Sequence, residues 1–215
     1  MLDNVPPITR ALLIANVLLF LAMMALGEAR FIDLMLWPMG DYPVRLPDGS
    51  IGLVGFLPWQ LISYGFLHGG LTHLFFNMFA LWMFGGPLEA TWGSCRFMNY
   101  YLICVLGAGL VQLLVATAAA SSGGAYPTVG ASGGVFGLLL AYGMLFPNHR
   151  LMPLFPPIPM RARTFVICYG LLELVLGVTG TASGVAHFAH LGGMAFGFLL
   201  IQYWRGRWPF RRPRR

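Results

Sequence analysis

The chain has 215 residues, of which 58% are hydrophobic and only 9% are charged, and its mean hydropathy is +0.73. A soluble domain carries about 25% charged residues, so this composition excludes a water-soluble globular protein. The formal net charge of +6 comes largely from one end, because six of the thirteen arginines lie in residues 205–215. Beside an apolar span, such a tail is expected to bind anionic lipid headgroups, and we expect no nucleic-acid partner.

The apolar tracts predict six membrane-spanning helices. A helix needs about 20 apolar residues to cross the ~30 Å hydrocarbon core. Turn-forming sequence at 121–128 and 179–184 divides the two longest tracts. The predicted spans are residues 9–27, 70–86, 95–120, 131–147, 164–180 and 186–204. We therefore expect an all-α polytopic membrane protein, with a six-span domain at 1–204 and a basic tail at 205–215. The first tract is longer than the apolar region of a signal peptide, so it is interpreted as a span.

The arginines predict the orientation of these spans. Eleven of the thirteen fall on one side of the six-span arrangement, and only Arg30 and Arg45 fall on the other. This asymmetry places both termini in the cytoplasm. The long first loop, residues 28–69, then lies outside. Its aromatic residues, prolines and glycines indicate a segment that lies in the membrane interface.

Polar side chains inside spans are costly, so they are candidate functional groups. The candidates are His73, Asn77, Gln112, Ser132, Glu173, His187 and His190. Spans two, four and six run in the same direction, and their N-terminal ends therefore share the outer leaflet. His73, Ser132 and His190 lie near those ends, at depths that agree within one or two helical turns. His73 and Asn77, four residues apart, project from one helix face. Such a pair taken alone indicates only hydrogen bonding between helices.

A serine among glycines begins the fourth span, in the sequence GASGGVFG. Two GxxxG pairs lie on spans four and six, Gly133 with Gly137 and Gly193 with Gly197. Such pairs permit close helix packing, which would bring Ser132 within hydrogen-bond reach of His190. Histidine is a suitable base for a serine hydroxyl, and unpaired N–H groups at a helix N-terminus can bind an oxyanion. These residues predict a nucleophile, a base and an oxyanion site that contains no carboxylate.

Four motifs resemble those of the rhomboid intramembrane serine proteases. The segment 130–133 resembles the family's GxSG motif, and residues 73–77 resemble its HxxxN motif. Residues 189–197 resemble its AHxxGxxxG motif, and residues 85–93 its GxxxExxxG loop. The motifs occur in the family's order along all six spans. The resemblance implies a serine endopeptidase that cleaves transmembrane segments of single-span membrane proteins. It also implies a multi-pass protein of a bacterial inner (plasma) membrane.

The resemblance also implies a role for each site residue. Ser132 is the nucleophile and His190 its general base, in a Ser–His dyad. His73, Asn77 and the backbone N–H of Ser132 bind the oxyanion. Phe136 stands where the family often has tyrosine, and it stacks under the base. The glycines that pack the helices are Gly130, Gly133, Gly137, Gly193 and Gly197. No cofactor and no metal are expected, and the oligomeric state stays open.

The sequence leaves open the roles of some residues and two competing functions. The chain has Trp59-Gln60 where the family often has Trp-Arg, so any pairing by that arginine is absent. Glu89 is expected to pair with Arg96. Glu173 is either a neutral, hydrogen-bonded carboxyl or a packing partner.

The competing functions are an inactive rhomboid-like protein that binds transmembrane helices and a small-solute transporter. A zinc site is disfavoured because the sequence has no HExxH motif; its ligands would be His68, His73, His187 and His190.

Overall fold

The computed structural model describes residues 4–46, 49–123, 125–153, 157–180 and 185–207. Long α-helices occupy the positions of the six predicted spans, and a short one lies in the first loop. In chain order the helices are α1 (Pro7–Leu26), α2 (Gln60–Ser63), α3 (Leu71–Trp92), α4 (Ser94–Gly123), α5 (Ser132–Leu145), α6 (Ala162–Thr179) and α7 (His187–Trp204). The predicted all-α polytopic fold is confirmed.

The number of spans is a separate question from the number of helices. In the described ranges, three helices are long and apolar enough to cross a membrane by length and composition: α1, α4 through Ser121, and α6. Helix α5 is apolar but has only 14 residues, or about 21 Å, which is less than the thickness of the hydrocarbon core. The count of six spans therefore stays a prediction. Residues 181–184 of the predicted turn at 179–184 and residues 208–215 of the basic tail lie outside the described residues.

The loops contain short strands that the sequence analysis did not predict. In the first loop, β1 (Tyr42–Arg45) and β2 (Ile51–Val54) form an antiparallel hairpin in which Tyr42 pairs with Val54. Two 3-10 turns flank this hairpin, at Glu28–Leu34 and Tyr64–Phe66. A second hairpin, β3 (Arg150–Leu151) with β4 (Met160–Arg161), lies between α5 and α6. The helices form the bundle, and the strands shape only its connections.

Helix α4 lies at the centre of the bundle and packs against α5 and α7. Its side chains Tyr100, Tyr101, Cys104 and Ala108 are fully buried. Small residues of the neighbouring helices face them: a Cβ on Gly133 would overlap that of Ala108, and one on Gly137 would overlap the sulfur of Cys104. Close backbone approach of this kind is how helices gain packing energy in a bilayer, where lipid tails are as apolar as the side chains.

The segment that leads into α5 is attached to the first loop. Thr128 and Leu36 exchange two backbone hydrogen bonds, of 2.8 and 3.0 Å, and the N–H of Gly130 donates to the carbonyl of Tyr64 at 2.9 Å. From α4, the amide of Gln112 donates to the Thr128 hydroxyl at 3.2 Å. Bonds from two directions thus fix the point at which α5 begins.

Gln60, the residue that departs from the family's Trp-Arg pattern, is a buried link within the first loop. Its amide nitrogen donates to the carbonyls of Asp33 and Gly55, at 3.3 and 3.2 Å. Its amide oxygen accepts from the backbone N–H of Trp37 at 3.1 Å. The arginine's own pairing is absent, as expected, but this glutamine connects three segments of the loop.

The predicted pair between Glu89 and Arg96 is wrong. The carboxylate of Glu89 accepts four hydrogen bonds of 2.7–2.9 Å, from the backbone N–H groups of Ile8 and Thr9 and the hydroxyls of Thr9 and Ser94. The guanidinium of Arg96 instead lies 4.1 Å above the indole ring of Trp204. The first N–H groups of a helix have no intrahelical partner, so the start of α1 binds the carboxylate directly.

Candidate active site

Ser132 and His190 are hydrogen-bonded although they lie 58 positions apart. The Oγ of Ser132 is 2.8 Å from Nε2 of His190. Ser132 is the first residue of α5, and His190 lies in the first turn of α7. The two helix starts meet because α5 and α7 pack backbone to backbone: a Cβ on Gly193 would overlap the carbonyl oxygen of Gly133. The GxxxG positions therefore bring the nucleophile and the base predicted from the sequence into contact.

Phe136 sets the plane of the His190 ring. The two rings are stacked, with centroids 4.2 Å apart and planes 5° from parallel. Phe136 follows Ser132 by one helical turn, so one face of α5 presents both the hydroxyl and the ring. The stacked phenyl ring limits tilting of the imidazole and leaves its edge, with both nitrogens, free for hydrogen bonds.

Gly130 makes room beside the serine. Its φ of +138° is a conformation that other residues rarely adopt. A Cβ at this position would lie 2.9 Å from Nε2 of His73 and 3.6 Å from Oγ of Ser132. The space that the glycine leaves is therefore bordered by the serine hydroxyl and by a nitrogen of the predicted oxyanion histidine. His73 in turn packs edge-on against the buried ring of His68, with centroids 5.1 Å apart.

Asn77 is buried on the same helix as His73, and its side chain forms a hydrogen bond within that helix. Its side-chain amide donates to the backbone carbonyl of His73 at 2.9 Å. One of its two amide hydrogens is thus used within its own helix. Nε2 of His73 borders the space beside Ser132, and the oxyanion roles of both residues remain predictions.

The expectation of a site that contains no carboxylate is wrong, because Glu173 lies behind His190. Its Oε2 is 2.8 Å from Nδ1 of His190 and 2.7 Å from Nδ1 of His187. All three side chains are buried, and His187 has a hydrogen-bonding role. The sequence contained one signal for this contact: Glu173 is the single acidic residue in the fifth apolar span, and such residues pair in the bundle interior. Nothing in the spacing identified its partner.

Among the described residues, the group that could hold a metal ion consists of Glu173, His187 and His190. Their ligand atoms lie within 4.8 Å of one another. Tetrahedral zinc holds ligand atoms at ~2.0–2.2 Å from the ion, which places them about 3.4 Å from each other. The distances of 2.7 and 2.8 Å from Oε2 to the two nitrogens are those of direct hydrogen bonds. The arrangement fits a hydrogen-bonded chain better than a metal centre.

Fold and site together define a polytopic integral membrane protein in which a serine hydroxyl is hydrogen-bonded to a histidine. A family model described as "Rhomboid domain" matches residues 56–207, more than two-thirds of the chain. The chain belongs to the rhomboid family.

Three relatives show how far the similarity extends. RHOMBOID-like protein 4 of Arabidopsis thaliana is 37% identical over 145 residues, which cover 66% of this chain and 33% of the relative. Rhomboid protease GluP of Bacillus subtilis (strain 168) is 31% identical over 140 residues, 65% of this chain and 25% of the relative. The mitochondrial presenilin-associated rhomboid-like protein of Bos taurus is 31% identical over 154 residues, 67% and 39% respectively. The matched region thus spans between a quarter and two-fifths of each relative's length.

Proposed function

We propose that this protein is an intramembrane serine endopeptidase that cleaves transmembrane segments of single-span membrane proteins. The observation that carries the proposal is the 2.8 Å hydrogen bond between Oγ of Ser132 and Nε2 of His190. A hydroxyl is a weak nucleophile until an adjacent base takes its proton, and this contact supplies the base. Membership of a family that includes a relative named as a protease supports the same activity.

The chemistry follows from these two side chains. His190 Nε2 takes the Ser132 hydroxyl proton while Oγ forms a bond to the scissile carbonyl carbon. The carbonyl oxygen becomes an oxyanion, which the backbone N–H of Ser132 and the side chain of His73 stabilise. His190 then gives the proton to the leaving amine nitrogen, and the C–N bond breaks to leave an ester on Ser132. Water, deprotonated by His190, hydrolyses that ester and restores the serine.

The proposed depth of the site determines the class of substrate. Helix α5 is about 21 Å long, so its two ends do not both reach the membrane surfaces, and we propose that the Ser132 end is the one that lies below the outer surface. A peptide bond of a membrane helix meets Ser132 only after local unwinding, because helical carbonyls are hydrogen-bonded within the helix. The proposed substrates therefore have small residues and weak helix at the cleaved bond. The proposed setting is a bacterial inner membrane, with both termini cytoplasmic and the tail on anionic lipid.

The test is cleavage of a single-span test substrate by the purified protein, read on a gel. Wild-type protein is expected to produce two fragments, and Ser132→Ala none. Ser121→Ala is the matched control, because Ser121 is exposed near the end of α4 and donates only to its own helix at Ala118. It should cleave like the wild type. Cleavage that persists in Ser132→Ala contradicts the proposal.

A second variant separates catalysis from helix binding. His190→Ala should bind the substrate and remain folded yet cleave almost none of it, since Ser132 then keeps its proton. Wild-type protein that binds the substrate and never cleaves it would instead identify a rhomboid-like helix-binding protein.

A further inference from the structure

A single buried carboxylate lies behind the histidine of the site. We propose, on the basis of the proposed function, that Glu173 is a positioning residue that holds His190 in the tautomer and orientation needed to accept the Ser132 proton. The site is then a Ser–His–Glu arrangement rather than the Ser–His dyad that the resemblance implies. The residue lies on α6, outside every motif that the resemblance used.

His190 is the middle member of a hydrogen-bonded chain that runs from Ser132 to Glu173. Nε2 is 2.8 Å from Oγ of Ser132, and Nδ1 is 2.8 Å from Oε2 of Glu173. Phe136, stacked on the ring face, fixes the ring plane but not which edge points toward the serine. A 180° flip of the imidazole about its Cβ–Cγ bond keeps that plane but would break the bond to Glu173. The carboxylate therefore fixes the remaining degree of freedom.

The proposed role takes Glu173 as ionised rather than neutral, and this charge state fixes where the ring proton lies. An ionised carboxylate only accepts hydrogen bonds, so Nδ1 of His190 and Nδ1 of His187 both donate to Oε2. A neutral imidazole carries one N–H. With that proton on Nδ1, Nε2 of His190 presents a lone pair to the Ser132 hydroxyl. The other tautomer would direct a lone pair at the carboxylate and an N–H at the serine, and would contain no base.

The charge of Glu173 has a second effect during the reaction. When His190 takes the Ser132 proton it becomes a buried cation, which is costly unless it is paired. Glu173 supplies the opposite charge at Nδ1 and itself gains no proton. It acts only through His190, which distinguishes it from the residues that touch the substrate.

His187 completes the arrangement. It lies three residues before His190 on α7, so both rings face the same side of the helix and meet one oxygen of Glu173. An ionised carboxylate that is 7% exposed needs such donors. The hydrogen bond from His187 keeps the carboxylate in place when His190 becomes positively charged during catalysis.

The most direct test is Glu173→Gln in the full-length protein. The amide has the shape of the carboxylate but no charge, and its NH₂ group favours the tautomer with a lone pair on Nδ1. The equivalent change in a Ser-His-Asp protease leaves the geometry intact and lowers kcat by about 10⁴. We expect kcat to fall by about 10²–10⁴ with little change in KM, because the interaction is made in the transition state. Val178→Ala, on the exposed side of α6, is the control and should leave kcat unchanged.

Nitrogen NMR of histidine-labelled protein gives a readout that a purely structural role would not move. The His190 signals, assigned by their loss in His190→Ala, should show a protonated Nδ1 and an unprotonated Nε2 in the wild type. In Glu173→Gln the proton should move toward Nε2. If Glu173→Gln does not fold, the wild-type spectrum alone decides, and a protonated Nε2 in resting His190 overturns the inference.

The outcomes separate this inference from the proposed function. Wild-type kcat and an unchanged tautomer in folded Glu173→Gln overturn the positioning role, while loss of cleavage in Ser132→Ala still supports the protease. Absence of cleavage by the wild type overturns the proposed function instead.

Discussion

Gly133 of α5 and Gly193 of α7 approach so closely that a Cβ on Gly193 would overlap the backbone carbonyl oxygen of Gly133. The overlap involves backbone, which cannot move aside as a flexible side chain can. Ser132 is next to Gly133 in the chain, and His190 lies three residues before Gly193. The contact between the two glycines therefore sets the distance between the proposed nucleophile and its base.

Gly193→Ala should separate α5 from α7 and lengthen the Ser132–His190 hydrogen bond. Overpacking of this kind costs about 1–3 kcal/mol or more in the free energy of unfolding. We expect a lower melting temperature and, in the fraction that remains folded, strongly reduced cleavage. Thermal unfolding in detergent and a turnover assay measure the two effects.

Gly86→Ala is the control for that substitution. A Cβ on this glycine of α3 would have its nearest neighbour, Cδ of Pro6, at 3.8 Å, an ordinary contact. Alanine is favoured over glycine in a helix by about 0.8–1.0 kcal/mol, but Gly86 precedes Pro87, whose ring disfavours a Cβ on a helical neighbour, so we expect this variant to fold with a stability close to that of the wild type. A Gly193→Ala protein as stable and active as Gly86→Ala would show that the helices do not require the glycine.

His73→Ala should lower turnover more than Asn77→Ala does. The loss of one oxyanion donor typically costs 10²–10³ in kcat, about 2.7–4 kcal/mol. Nε2 of His73 borders the space beside Ser132, whereas the Asn77 amide donates to its own helix. The deficit of His73→Ala should fall on kcat rather than KM, since the negative charge exists only in the transition state.

Melting temperatures must accompany those rates, because Asn77 has a structural alternative. A destabilised Asn77→Ala protein with full turnover would assign Asn77 to helix packing alone. A fully active His73→Ala protein would remove His73 from the oxyanion site.

Glu89 should stabilise the protein through the start of α1 rather than through Arg96. Glu89→Ala leaves four donors without their acceptor, and each buried unsatisfied group costs about 1–3 kcal/mol. A double-mutant cycle on the free energy of unfolding should find coupling between Glu89 and Thr9 of at least about 0.5 kcal/mol. The cycle with Arg96 should give a smaller value. Stronger coupling to Arg96 than to Thr9 would restore the salt bridge expected from the sequence.

The arginine-rich C-terminal tail is expected in the cytoplasm. A reporter active only outside the cytoplasm, fused after Arg215, should stay silent in cells. The same reporter fused within the first loop, after Arg45, should be active and is the control for expression. An active fusion after Arg215 would contradict the predicted orientation or the count of six spans.

Local patterns were sufficient to predict the helices and the central pair of the site. Apolar tracts and their turns located the six long helices, because helix formation and span length depend on neighbouring residues. Ser132 and His190 lie beside glycines, at predicted matching depths of helices that are predicted to run in the same direction. The sequence therefore indicated their meeting, although the structure was needed for the 2.8 Å distance.

The contacts that the sequence did not predict join residues distant along the chain. Glu89 meets Thr9 across 80 positions, and Gln60 meets Trp37 across 23. Glu173 of α6 meets His190 of α7 across 17 positions. In each case a buried acceptor or amide binds whichever donor the packing presents. No spacing rule encodes that choice, so the sequence showed that Glu173 needed a partner without showing which one.

Covalent labelling of Ser132 tests the central claim most directly. A serine-directed phosphonate reacts with a hydroxyl only when an adjacent base has activated it, and mass spectrometry locates the modified residue. We predict a single adduct on Ser132 in the folded wild-type protein, and no adduct in Ser132→Ala or His190→Ala. Labelling that survives Ser132→Ala, or an unlabelled wild-type protein that cleaves its substrate, would contradict the account.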